Sequence, residues 1–261
     1  MTMLANYRKE REAFEKLLDC DSCRVLLLCG KSGMGKTTLL DTFKELSEAK
    51  GVCCVLFDCK GTVVLDEVFG RISNFLGQNN LPNLTKSRSA SENPTINISV
   101  TGNFLCGMWN NLLITVLPKY NPVKRQAHCV QLMDVLTEDL KNLERPLLVL
   151  FDTYEKMNSD VKLWTELFLA RICLFPQVRV VIAGQQIPKF DKGGVKKFAQ
   201  HFELTGVSSA EDWLPYLQFK QRTTGNLDNQ EFLKVICSSY QGHPKDIAKL
   251  IDGLSTMGEL A

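Results

Sequence analysis

Gly30-Lys31-Ser32-Gly33-Met34-Gly35-Lys36-Thr37 has the spacing G-x-x-x-x-G-K-T, and these residue types suit the wrapping of a phosphate chain. Glycines let a backbone curl until successive N–H groups face one anion. Lys36 would reach the β- and γ-phosphates, and Thr37 would offer its hydroxyl to Mg²⁺. Thr38 follows at the start of a helix whose positive dipole end adds to the same attraction. The spacing therefore predicts a binding segment from Gly30 through Thr38, with ATP as ligand and Mg²⁺ as its counter-ion.

A magnesium ion bound this way needs a carboxylate from elsewhere. Leu147-Leu148-Val149-Leu150-Phe151 is an unbroken apolar run followed by Asp152, the pattern of a buried strand that delivers an acid at its end. Asp152 would hold the ion, directly or through water. Glu155, three residues further, would orient or deprotonate an attacking water. The competing arrangement makes Asp152 a helix N-cap and Glu155 its capping partner.

These side chains need elements to carry them. Arg24 to Cys29 reads as a buried strand leading into the loop, and Leu39, Leu40, Phe43 and Leu46 have the spacing of a helix leaving it. A helix over 5–18, a strand over 52–58, a helix over 64–76 and a helix near 123–143 follow the same logic. So do the Asp152 strand, a helix over 160–174, and strands at 178–183 and 202–204. Residues 77–103 read as a loop, and 104–117 stay unassigned. Strands alternating with helices imply an α/β fold with a parallel sheet covered on both faces. From Ser208 onward only helices are predicted. Gly242 suits a helix stop and Pro244 the first turn of the next helix. The expected organisation is a nucleotide-binding domain over 1–207 and a helical lid over 208–261.

The chain has 261 residues, 31 basic and 29 acidic, for a formal charge of +2. That balance creates no field demanding nucleic acid or membrane. Residues 1–10 lack an apolar targeting segment, and no run approaches the ~20 apolar residues of a membrane span, so a cytoplasmic location is expected. Among ten cysteines and three histidines, Cys20 and Cys23 have zinc or redox spacing, and Cys53, Cys54 and Cys59 follow the phosphate loop. A structural zinc needs a second pair. Cys29, Cys53, Cys129, Cys173 and Cys237 fall where cysteine serves as a small buried hydrophobe.

The order of these motifs resembles the signal-transduction ATPases with numerous domains, the NACHT and NB-ARC group within the AAA+-like division of P-loop NTPases. The residues carrying the resemblance are 30–40, 147–155, 178–186, 201–217 and 242–250. It implies a five-stranded sheet of order 5-1-4-3-2 and a catalytic set of Lys36, Asp152 and Glu155. It also implies that Pro244, in Gly242-His243-Pro244, packs near the adenine. Slow hydrolysis of ATP to ADP and phosphate would drive a switch that self-associates or engages an effector or sensor protein.

Two departures stand against that pattern. Where such proteins place an arginine after the fourth strand, this chain has Gln185, which can donate a hydrogen bond to a γ-phosphate but carries no charge. The chain also reaches Ala261 soon after the lid, without room for a winged helix or sensor repeats, so a fragment or a minimal switch is expected. The alternative function is an AAA+-type helper ATPase associated with DNA in replication or transposition. Its sequence support is the basic stretch 189–197, which reads more readily as a solvated loop, so nucleic acid is a less favoured partner. A small-molecule kinase would need a lid rich in arginine, and only Arg222 lies there.

Overall fold

The computed structural model of the chain describes residues 6–19, 22–61, 65–86, 134–189, 195–221 and 229–258. The unassigned 104–117, the first half of the helix expected near 123–143, Cys20, Cys129, Arg222 and the centre of the basic stretch lie outside them.

Five parallel strands form one sheet: β1 (Val25–Gly30), β2 (Cys53–Asp58), β3 (Leu147–Asp152), β4 (Val178–Gly184) and β5 (Ala199–Leu204). Their order is β2-β3-β4-β1-β5, the expected order written from the other edge. Apolar runs build β3 and β4, where every residue is buried, alternating between two covered faces. Val149 and Phe151 turn to one side and Leu148 and Leu150 to the other.

The first face packs against α3 (Leu65–Leu76) and α4 (Ser159–Ala170) through Val68, Phe69, Ile72, Trp164 and Phe168. The second packs against α1 (Arg8–Asp19) and α2 (Lys36–Ala49) through Phe14, Leu17, Leu39, Leu40 and Phe43. Phe14 and Phe43 stack with ring centroids 4.0 Å apart, so α2 is clamped between the sheet and α1. Two buried arginines tie strand starts to neighbouring carbonyls. Arg24 donates to Ile172 O, and Arg179 Nε donates to Leu17 O at 2.7 Å.

After a four-residue helix, α5 (Val195–Phe198), and β5, the chain forms α6 (Ala210–Gln221), α7 (Asn229–Ser239) and α8 (Pro244–Gly258). Trp213, Leu217, Leu233, Ile236, Ile247 and Ile251 join the apolar cluster of the α1–α2 face. None of the described helices is long and apolar enough to cross a membrane.

Sequence periodicity fails at a few points. The stretch read as a loop from 77 contains a helical turn at Gln78–Asn80 and a helical stretch at 82–86. The Asp139 carboxylate accepts from the N–H groups of Asn83 and Leu84, satisfying donors that the local sequence leaves open. Helix 160–174 breaks into α4 and a 3₁₀ turn at Ile172–Leu174. The last strand is longer than expected, because pairing with β1 from Val25 to Gly30 extends it back to Ala199. Phe75, placed on an apolar stripe by spacing, is 56% exposed. Cys173 is exposed rather than buried, while Cys29 and Cys53 are half-buried.

The clamp on α2 has a measurable worth. Phe43→Ala leaves a cavity against Phe14 and is expected to cost about 3–5 kcal/mol of stability, read from urea unfolding. A loss below about 1 kcal/mol would mean that α2 is anchored elsewhere.

Candidate functional site

β1 ends at Gly30 and α2 begins at Lys36, so the phosphate loop bridges the carboxyl end of a central strand and a helix N-terminus. Five successive loop carbonyls are each taken by a donor. Lys36 Nζ donates to Gly30 O and Lys31 O at 2.7 Å each. His243 Nε2 lies 3.1 Å from Ser32 O, the Lys245 backbone N–H donates to Gly33 O at 3.1 Å, and the Tyr7 hydroxyl donates to Met34 O. In a trans peptide the N–H points away from the carbonyl. Carbonyls held on the outside therefore aim N–H groups inward, which is the geometry of an anion nest.

Gly33 shows how tightly α8 covers the loop. Its φ is +82°, and an added Cβ would lie 2.3 Å from His243 Cε1. The Lys36 ammonium, drawn back onto the loop, has its pKa lowered by burial, with Glu155 and Asp152 pulling the other way. A phosphate would replace the two carbonyls as its partner with a stronger, charge-assisted contact.

Thr37 Oγ1 donates to Asp152 Oδ2 at 2.7 Å, and Asp152 is only 3% exposed. A hydroxyl and a carboxylate set side by side fit a hard divalent cation that keeps several waters. Mg²⁺ would sit here, held by Thr37 and Asp152. Next to them Thr153 has a left-handed φ of 56° and turns the chain into a 3₁₀ turn, Tyr154–Lys156. Glu155 within that turn accepts from the Gln185 backbone N–H at 2.9 Å and from its side-chain amide at 3.3 Å. The carboxylate thus bonds across to the end of β4 instead of capping Asp152, and Asp152 is the last residue of β3. Gly184 makes the approach possible, since a Cβ there would lie 2.8 Å from Glu155 Oε2.

These residues open on one cavity of about 890 Å³ between the sheet ends and α6 and α8. Ser32, Gly33, Gly35, Lys36, Thr37, Thr38, Asp152, Glu155, Gln185 and Pro244 all line it. Gly30, Lys31 and Met34 act behind it as backbone. Sequence reasoning overlooked Tyr7, Gly184, His243, Lys245 and Lys249. Lys245 and Lys249 did carry a signal, because their i,i+4 spacing after Pro244 sets them on one helix face. Among the described residues, six lysines and three acids line the cavity, an electropositive excess suited to a polyphosphate.

Gly33→Ala should lower ATP affinity at least about tenfold, because φ is strained and the new methyl displaces the His243 ring. Calorimetry with ATP checks this. Unchanged affinity would mean that α8 does not rest on the loop.

Residues 19–186 match a family model described as an AAA domain. No curated protein matches the chain. Among solved structures, Cdc6p from Pyrobaculum aerophilum shares the fold at 14% identity and TM-score 0.56, over 97% of this chain and 62% of that one. A DNA replication initiation factor gives 12% identity, 98% and 64% coverage and TM-score 0.47. AMPPCP-bound DnaA from Aquifex aeolicus gives 13%, 96% and 62%, and 0.47. The chain spans less than two thirds of each of these structures. The phosphate loop, Asp152, Glu155 and Gln185 all fall inside the matched span, and the chain belongs to the AAA domain family of P-loop NTPases.

Proposed function

We propose that the chain is a Mg²⁺-dependent ATPase whose bound nucleotide sets the position of a helical lid, 208–261, against a nucleotide-binding domain, 1–207. The observation that carries this is the convergence of loop, Thr37–Asp152 pair, Glu155–Gln185 pair and Pro244 on a single cavity. Lys36 and the loop N–H groups bind the β- and γ-phosphates. When bound by Thr37 and Asp152, Mg²⁺ draws charge from the phosphate oxygens. Glu155 keeps lone pairs beyond those facing Gln185 and takes the proton of a water that attacks the γ-phosphorus. The bond to the bridging oxygen breaks, leaving ADP and phosphate. Gln185 orients the Glu155 carboxylate and offers a neutral donor. Without an arginine in that place hydrolysis is slow.

Glu155→Gln should keep ATP affinity while lowering steady-state hydrolysis by about a hundredfold. Lys36→Ala should weaken ATP binding at least about tenfold, roughly 1.4 kcal/mol. Hydrolysis at the parent rate in the glutamine variant would remove Glu155 from the reaction.

Two settings suit such a switch. A DNA-associated helper is supported by the fold match to Cdc6p. A signalling module that assembles with ATP is supported by Pro244 of the Gly242-His243-Pro244 motif, which lines the cavity. We rank the helper first. Duplex DNA titrated at rising salt separates them: ATP-dependent binding that weakens steadily with salt supports the helper. A mass increase with ATP alone, read by light scattering, supports the signalling module.

A further inference from the structure

The three outer carbonyl contacts on the phosphate loop come from distant parts of the chain, and two of them come from side chains. Ser32 O belongs to the peptide entering Gly33, and Met34 O to the peptide entering Gly35. Both glycines have left-handed φ, +82° and +75°. A peptide that leads into such a glycine turns over at low cost, because no Cβ obstructs the alternative conformation. Once turned, it would point its carbonyl oxygen at the phosphates instead of its N–H. The side-chain donors sit at these two peptides. His243 Nε2 is 3.1 Å from Ser32 O, and the Tyr7 hydroxyl meets Met34 O. The intervening carbonyl, Gly33 O, is held by a backbone N–H.

Each holder is braced in turn. Asp246 Oδ2 lies 2.7 Å from His243 Nδ1. The residue before Tyr7, Asn6, donates through its side chain to Asp212 of α6 at 2.5 Å. Tyr7 itself keeps a left-handed φ of 72°, a strained backbone that needs its surroundings to hold it.

We infer that Tyr7 and His243 are positioning residues of the nucleotide site, each locking one phosphate-loop peptide with its N–H toward the phosphates. This rests on the proposed ATP binding. Loop N–H groups grip the phosphates alike in the ground and transition states. Loss of a holder therefore removes uniform binding, raising KM and leaving kcat in place. A residue that merely supported the fold would instead lower the active fraction, and apparent kcat would fall at unchanged KM.

The test compares the full-length parent with Tyr7→Phe, His243→Leu and His243→Gln, using ATP calorimetry, steady-state kinetics and urea unfolding. Tyr7→Phe and His243→Leu should each raise the ATP Kd and KM about fivefold, the worth of one neutral hydrogen bond, with kcat within about twofold. His243→Gln, which can still extend a donor to Ser32 O, should recover most of the affinity. Parent-like affinity in both Tyr7→Phe and His243→Leu overturns the inference and leaves ATP binding standing. So does a fall in kcat at constant KM, or no recovery with glutamine. A parent that binds no ATP overturns the inference together with the reading beneath it.

Discussion

The direction of five peptide carbonyls governs this structure. An anion nest works only when consecutive N–H groups converge, so each carbonyl of the same segment must find a donor on the far side. In this chain the far-side donors are His243, the Lys245 backbone and Tyr7, while Lys36 holds the carbonyls of Gly30 and Lys31 from the cavity. One belongs to α8, one lies just before it, and one lies just before α1. The fold has to deliver two separated segments to one short loop, and the carboxyl-terminal helices that bring one of them share an apolar cluster with α1 and α2.

The parallel register performs the second delivery. β3 pairs with β2 so that Asp58 and Asp152 end level, and β4 pairs with β1 so that Cys29 stands opposite Gly184. Strands ending together place Asp152, the turn bearing Glu155, and Gln185 along one rim. A slip of one residue in β3 would turn the Asp152 side chain to the other face of the sheet. The tightly filled core, with Phe57 stacked on Phe151 and Trp164 on Phe168, keeps that register.

What could be read from sequence was whatever depends on residues close along the chain. The loop, its strand and its helix form one continuous motif, and Asp152 ends a run of five apolar residues. Their pairing through Thr37, 115 residues apart, follows from the chemistry each residue advertises. Tyr7 and His243 advertise nothing, because their partners are backbone carbonyls 27 and 211 residues away, and any donor of the right reach would serve. The role of Glu155 stayed divided between capping and chemistry because both require an acid at that spacing. Only the position of Gln185 across the sheet end decides against capping. The likeness to signal-transduction ATPases was finer than the comparisons support, which reach the AAA domain and the fold of Cdc6p.

Among the described residues, the non-glycine residues with left-handed backbone are Tyr7, Thr153 and Gln241. Tyr7 and Thr153 line the cavity, and Gln241 lies just before Gly242 and His243. Each costs on the order of 1 kcal/mol, and none of the three lies in a strand. Local opening starts where the backbone is least content. An occupant that binds only the folded chain at this cavity would stabilise it by mass action, and with it the two strained residues that line the cavity, Tyr7 and Thr153. Protease resistance of the amino-terminal strap and of the turn before α8 becomes, for this fold, a gauge of occupancy.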